Sequence, residues 1–445
     1  MRSFIRTTIA RLTGSAFVRS FATLVSGNGT AQLVNLATIP VITRLYSPDS
    51  LGVLGVFTAI VLIFANAGTF RFDLALVLPR KQEDAHNLFW LASAALLAST
   101  ACVTVLVLSA GHTIASVFRM PDLEPQVWCV PVTIMLFGLK NVLINYRIRQ
   151  RAFPALAAER VLFISACHVT QIAYAVTFGP SFAGLVSGFM TGTLAGVVFL
   201  WVRPSILPFR KVLDDFNPAG IRQLLSTYRQ FPIFATVNIV LLHLSRSLVL
   251  FLFSAFFTPA VVGYYSLANR VLFQPLYLLS GSLQIVLLQS SSARLNESSP
   301  IRPILWKSVA GLSVLGIIPA VALTGFGPSL FALFLGAQWR EAGEYAQILS
   351  PFFFLVLATS PANQIFNVTK QMLLTLVLTI VTIAGSTASI VAGGFIAEDV
   401  LTSLVLFSIF NSLMRIVVLT VADRVSARSD RLGSARKAAE AANLS

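Results

Sequence analysis

The stretch "FFTPAVVGYYSLANRVLFQPL", residues 256–276, is apolar almost throughout yet carries Arg270 near its middle. Between Glu159 and Glu297 the only carboxylates are Asp214 and Asp215, so no acidic neighbour in the sequence answers that charge. A guanidinium taken into an apolar surrounding is costly. Its surroundings must therefore be read from the rest of the chain.

The 445 residues are 56% hydrophobic and only 11% charged, with a mean hydropathy of +0.81. A water-soluble protein of this size cannot hide so much apolar surface, so part of its solvent is lipid. A helix needs about 20 apolar residues to cross a bilayer. Twelve segments qualify, at about 21–43, 52–77, 88–112, 125–147, 157–178, 182–202, 230–256, 261–288, 304–327, 345–367, 372–395 and 400–422. Strands of a membrane barrel are about 10 residues long and alternate in polarity. These runs are longer and continuous, which predicts an all-α polytopic membrane protein of about 12 transmembrane helices.

The net charge of +15 has a topological cause. With both termini in the cytoplasm, 25 of the 32 basic residues fall on that side, and only Arg44, Arg119 and Arg340 fall in the opposite loops. That asymmetry is the positive-inside rule. It excludes nucleic acid as the reason for the charge. The start, "MRSFIRTTIARL", reads as a basic amphipathic lead-in on the cytoplasmic leaflet. Cys102, Cys129 and Cys167 fall within spans and read as buried free thiols.

The longest connection, 203–232, divides the spans six and six. The expected organisation is an N-terminal lobe 1–202, a cytoplasmic linker 203–229 and a C-terminal lobe 230–445. The halves echo each other: "LYSPDSLGVLGVF" (45–57) and "FFTPAVVGYYSLA" (256–268) place Pro48 and Gly52 against Pro259 and Gly263, 211 residues on. "NVLINYRIRQ" (141–150) echoes "NQIFNVTKQ" (363–371). In transporters built from parallel repeats, the substrate site lies between the halves.

No metalloprotease, serine-hydrolase or P-loop motif appears, and no carboxylate sits at mid-span, which argues against an enzyme. His168 and His243 read as interhelical hydrogen-bonders. With those toward the cytoplasmic ends set aside, four cations remain inside spans: Lys140, Arg246, Arg270 and Arg415. Each costs roughly 2.5–3.5 kcal/mol on insertion scales. Acidic partners at their depth are missing from the sequence, but polar residues share their faces: His243 with Arg246, Gln274 with Arg270, Asn411 with Arg415. Asn269 adjoins Arg270. Two readings stand for each cation: a side chain that snorkels to headgroups or bonds helix carbonyls, or one that faces a wet cavity. A cationic cavity between the halves accounts for all four and suits an anionic headgroup, since arginine matches phosphate well. Asn28 and Gln32, in "SGNGTAQLVN" (26–35), would be wasted on lipid and read as lumen wall.

Beyond these residues, "RFDLALVLP" (71–79), "YRQFPIF" (228–234), the opening stretch and "FLGAQWREAGEY" (334–345) resemble, in order, the Wzx-type O-antigen and exopolysaccharide flippases of the MOP exporter superfamily. The resemblance implies two six-helix lobes and the transport of undecaprenyl-diphosphate-linked oligosaccharide across the bacterial inner membrane by alternating access. It implies no cofactor beyond an H⁺ or Na⁺ gradient. The expected partners are the lipid-linked oligosaccharide, membrane lipids, a polysaccharide polymerase and a chain-length regulator. The cations would then face the diphosphate. The alternatives are a multidrug or metabolite exporter of the same superfamily and a membrane polysaccharide polymerase. The polymerase is disfavoured by outer loops no longer than 113–124 and 328–344.

Overall fold

A computed structural model describes residues 16–202, 209–296, 299–369 and 371–442. The lead-in at 1–12 lies outside them. The described chain is helical: α1 Ala16–Leu45, α2 Pro48–Ala67, a short α3 Phe72–Ala75, α4 Gln82–Val117, α5 Cys129–Arg149, α6 Phe153–Phe178 and α7 Phe182–Val202. Two short helices follow, α8 Phe209–Asp214 and α9 Pro218–Thr227. Then come α10 Thr236–Phe256, α11 Pro259–Asn296, α12 Arg302–Leu335, α13 Arg340–Val368, α14 Met372–Val391 and α15 Val400–Ala442.

Among the described residues, ten helical stretches are long and apolar enough to cross a membrane. The predicted spans 21–43 and 261–288 fall on α1, of 30 residues, and α11, of 38. The protein is a multi-pass membrane protein.

Helix ends follow local chemistry. Ser47 caps α2 by accepting from the Ser50 amide at 3.3 Å, and Pro48, whose ring presets φ, takes the first position. Pro259 opens α11 likewise, so the two echoed prolines hold the same place in their helices. The predicted span 52–77 is cut short. Helix α2 stops at Ala67, and a turn with Phe70 at φ 47° and Arg71 at φ 59° separates it from α3. Apolar composition continues through the turn, so hydropathy alone could not reveal it.

The chain divides into two compact units, Met1–Ser247 and Leu248–Ser445. In the first, Phe72, Leu76, Phe89, Tyr146 and Leu200 form a buried cluster with Val212 and Leu224. The last two belong to α8 and α9. The stretch from 209 onward is thus docked on this unit. Trp90 Nε1 donates to the Val212 carbonyl (2.9 Å), Asn87 Oδ1 accepts from the Asn217 amide (2.9 Å), and His86 Nδ1 meets Asp215 Oδ2 at 2.6 Å.

Helices α6 and α7 pack through Gly184, Gly188, Gly192 and Gly196, four residues apart along one face of α7. A Cβ on Gly188 would lie 2.6 Å from the Cys167 carbonyl oxygen, one on Gly192 2.6 Å from that of Phe163, and one on Gly196 2.7 Å from Glu159 Oε1. Small residues let helices approach this closely where lipid offers no hydrophobic drive.

In the second unit, α12 and α13 cross at Gly327 and Gly343, where a Cβ on Gly343 would lie 2.5 Å from the Gly327 carbonyl oxygen. Ile301, Leu305, Phe366, Val418 and Ala422 cluster at one end of α12, α13 and α15. There Asp430 accepts from the amides of Ile301 (2.7 Å) and Arg302 (3.1 Å), and Asp423 pairs with the Arg302 side chain (2.6 and 2.8 Å). The α15 carboxylates thereby cap the opening turn of α12.

Candidate functional site

The expected cations sit in different environments. Lys140 on α5 is buried, and its Nζ lies 3.7 Å from Glu159 Oε1 on α6. It is also flanked by the rings of Phe163 (3.7 Å to the centroid) and Phe137 (4.6 Å). The expectation that no acidic partner lies at its depth does not hold for Lys140. The reason is geometric: Lys140 is nine residues before the end of α5 and Glu159 six after the start of α6, so an antiparallel pair brings them level. Gly196 of α7 leaves room for both side chains.

Arg246 on α10 is exposed, and among the described residues no carboxylate pairs with it. His243, one turn away, is half-buried. Both belong to the first unit. Asn269 and Arg270 on α11, and Arg415 on α15, are half-buried in the second. Arg270 and Arg415 each have interactions with neighbours. Asn411, one turn from Arg415, is buried and accepts from Ser386 Oγ of α14 at 3.1 Å. Gln32 on α1 is half-buried and engaged with neighbours. The side chains of Asn28 and Gln274 lie outside the described residues. His168 is buried and hydrogen-bonds Thr38 of α1, the interhelical role expected of it. Among the described residues, no group of three or more His, Cys, Asp or Glu gathers as a metal site.

Sequence reasoning passed over Arg71. Its turn is built by polar side chains. Asp73 is buried; its Oδ1 accepts from Thr69 Oγ1 (2.7 Å) and its Oδ2 from Asn145 Nδ2 (3.0 Å) of α5. Asn141, a turn earlier on α5, donates to Asn66 Oδ1 of α2 at 3.4 Å. Thus the 141–150 motif anchors the 71–79 motif. Phe70 and Arg71 both hold left-handed φ, which costs an L-residue roughly 1–2 kcal/mol each. Such strain persists only where its surroundings impose it. The signal in sequence was Thr69, Asp73 and Asn145, three polar residues next to apolar runs.

A shallow groove of ≈ 620 Å³ on α6 and α7 is lined by Leu162, Leu194, Val198, Phe199 and neighbours. Among the residues that line it, Thr191 alone is polar, so it offers an anion nothing.

Residues 41–344 match the model of the family described as "Polysaccharide biosynthesis protein". The chain belongs to that family. No curated protein matches the sequence. Among solved structures, the fold is similar to the inward-closed conformation of the lipid II flippase MurJ, with TM-score 0.70, 12% identity, and 93% of this chain and 91% of that one covered. It is also similar to an inward-facing multidrug resistance MATE family transporter of the MOP superfamily, with TM-score 0.68, 16% identity, and 90% and 96% covered. A MOP superfamily transporter from Pyrococcus furiosus aligns at TM-score 0.57 and 15% identity, over 92% and 94%. At these identities the likeness is one of fold. The sequence thus shows the family, and the fold is similar to that of MOP superfamily transporters.

Proposed function

We propose that this membrane protein is a transporter, and specifically a flippase. It carries a polyprenyl-diphosphate-linked oligosaccharide across the bacterial inner membrane by alternating access, with both termini cytoplasmic, for O-antigen or exopolysaccharide assembly. One observation supports this most: Arg246 stands exposed on a helix apolar enough to cross a membrane, with no carboxylate partner among the described residues. A cation kept there without a protein counter-charge suits a substrate that supplies one, and a guanidinium's fork of donors fits phosphate oxygens. Membership of a polysaccharide biosynthesis family supports the same substrate class. His243, Asn269, Arg270 and Arg415 are proposed to share this role. Gln32 and Asn28 would line the path, and an H⁺ or Na⁺ gradient would drive it.

The exporter reading draws on one feature, the buried carboxylate of Glu159, which a cationic drug would need. Lys140 already answers that charge. Lys140 is accordingly assigned a supporting role rather than a phosphate contact.

Purified protein in liposomes, supplied with polyprenyl-diphosphate-linked oligosaccharide on one side, gives the test. Arg246→Ala and Arg270→Ala should each abolish flipping per folded molecule, with Arg270→Lys intermediate. Undiminished flipping by the double alanine variant would overturn the cationic site.

A further inference from the structure

Past its apolar stretch, α15 sorts its charges by face. Asp423 is taken up by α12, accepting from the Arg302 guanidinium (2.6 and 2.8 Å) and from Trp306 Nε1 (2.7 Å). Asp430 is taken up likewise, by the amides of Ile301 (2.7 Å) and Arg302 (3.1 Å). Ala422 and Ser426 are buried on the side turned toward the rest of the unit. At about 100° per residue, Arg424, Arg428 and Arg431 fall within a sector of roughly 60° on the opposite side. All three are exposed. Among the described residues their side chains enter no ion pair or hydrogen bond. The stripe is cationic, and both neighbouring carboxylates are committed elsewhere.

The same face continues into the apolar stretch. Leu413, Val417 and Thr420 precede Arg424 in steps of four, three and four residues, and all are exposed. The helix runs through without a break, so one exposed face changes from apolar to cationic at Arg424. Trp306 marks the depth of that change. Its exposed indole is pinned by Asp423, the residue before Arg424, and tryptophan concentrates at the membrane–water boundary. The headgroup layer of one leaflet is about 6 Å deep. Arg424 and Arg428 are about 6 Å apart along the helix, so together they span that layer. Arg431, about 10 Å beyond Arg424, is still near a Debye length from it. The positive-inside bias asks only for basic residues on one side of a membrane. It does not ask for three on one face, in line with an apolar stripe.

We propose that this face of α15 is a binding site for an anionic phospholipid. The acyl chains lie along Leu413 and Val417, and the phosphate meets Arg424 and Arg428, with Arg431 adding to the local potential. The alignment of apolar and cationic segments selects a lipid over a soluble anion or an acidic protein, which would need the arginines alone. Such a lipid ties the end of α15, and with it the opening turn of α12, to the membrane surface.

The full chain, purified in detergent and titrated with phosphatidylglycerol or phosphatidylcholine, gives the test, with bound lipid counted by native mass spectrometry. Phosphatidylglycerol should bind roughly tenfold tighter or more. Arg424→Gln, Arg428→Gln and Arg431→Gln should each weaken it roughly fivefold, and the triple variant on the order of a hundredfold. Lysine at all three positions should keep most of the affinity, since the charge remains. Arg80→Gln with Lys81→Gln removes two exposed charges from the first unit and should change nothing. A loss there equal to that of Arg424→Gln with Arg428→Gln would reduce the effect to net charge and overturn the site. Val417→Trp, which alters the acyl-chain face with every charge in place, should also weaken binding. No effect of that change would overturn the lipid as occupant in favour of a soluble anion or acidic protein. Equal affinity for the two lipids, or full affinity in the triple glutamine variant, would overturn the proposal outright. If the triple variant does not fold, the three single variants carry the test.

Discussion

The two units handle polar groups inside helix pairs in opposite ways. In the first, α5, α6 and α7 bury a full ion pair, Lys140–Glu159, beneath a ladder of four glycines. In the second, the seam of α12 and α13 holds neutral groups: Thr324 Oγ1 meets Ser350 Oγ at 2.5 Å, and Gln347 donates to the Thr324 carbonyl at 2.6 Å. Its ion pair, Arg302–Asp423, lies at the rim, where Arg302 is half-exposed. Prolines 319, 328, 351 and 361 interrupt those same two helices, so their freed carbonyls need hydroxyl and amide donors close by. Glycine seams and proline seams thus call for different polar partners. A straight, close-packed pair shields a charge pair from lipid, and a kinked pair consumes its polar groups on its own backbone.

The sharpest way to break this contrast is to unpair the buried charges. Glu159→Ala leaves Lys140 buried without a counter-charge and should cost about 3–5 kcal/mol of stability. Asp423→Ala, at the exposed rim, should cost far less. Thermal unfolding in detergent compares them, and equal losses would remove the distinction between the units.

Next in size are the seams themselves. Gly192→Val drives a side chain against the Phe163 carbonyl and should cost roughly 1–3 kcal/mol. Gly343→Val meets the Gly327 backbone and should cost a similar amount. Gly192→Val should in addition alter transport, since the same face of α7 confines Glu159; normal flipping at reduced stability would show the ladder to be packing alone.

A smaller effect sharpens the account of the second unit's ends. Asp399 caps α15 by accepting from the Thr402 hydroxyl (2.7 Å) and amide (2.8 Å). The hydroxyl bond first, then the amide, holds its carboxyl below the ordinary aspartate value. A lowered folded-state value means the stabilisation is present above the unfolded-state value and is lost as pH falls through the folded one. Asp399→Ala should therefore cost about 1 kcal/mol at neutral pH. The deficit relative to wild type should close in acid; a deficit that stays constant with pH would mean the cap acts through packing.

The smallest change is a gain. A Cβ on Gly311 of α12 would meet nothing within 4 Å, so Gly311→Ala should raise stability by roughly 0.5–1 kcal/mol. A loss there would mean that α12 has an unseen neighbour, in contrast to the crowded glycines of α7.

Hydropathy made the helices legible because a bilayer selects for length and apolarity, and both are written locally. It failed at Gly68–Arg71, where an apolar run bends through left-handed residues held by Thr69, Asp73 and Asn145. The Lys140–Glu159 pair was hidden because it joins different helices, though their distances from the shared turn contained the answer. The four-residue glycine repeat at 184–196 could have been read directly. The docking of 209–228 could not, since Val212 and Leu224 look like the apolar side of any surface helix until their neighbours are known. Of the candidate site, the cations were visible as anomalies in apolar runs.

Helix α15 runs unbroken for 43 residues, or about 65 Å at 1.5 Å per residue, roughly twice the thickness of a hydrocarbon core. Its overhang is bonded to the start of α12 as far along as Asp430, so it cannot swing independently of that helix. Mechanically it is a pointer. A tilt of 10° in α12 and α15 together would sweep the far end of a 30 Å overhang through about 5 Å. A fluorophore placed near Leu432, which is exposed, would report that sweep.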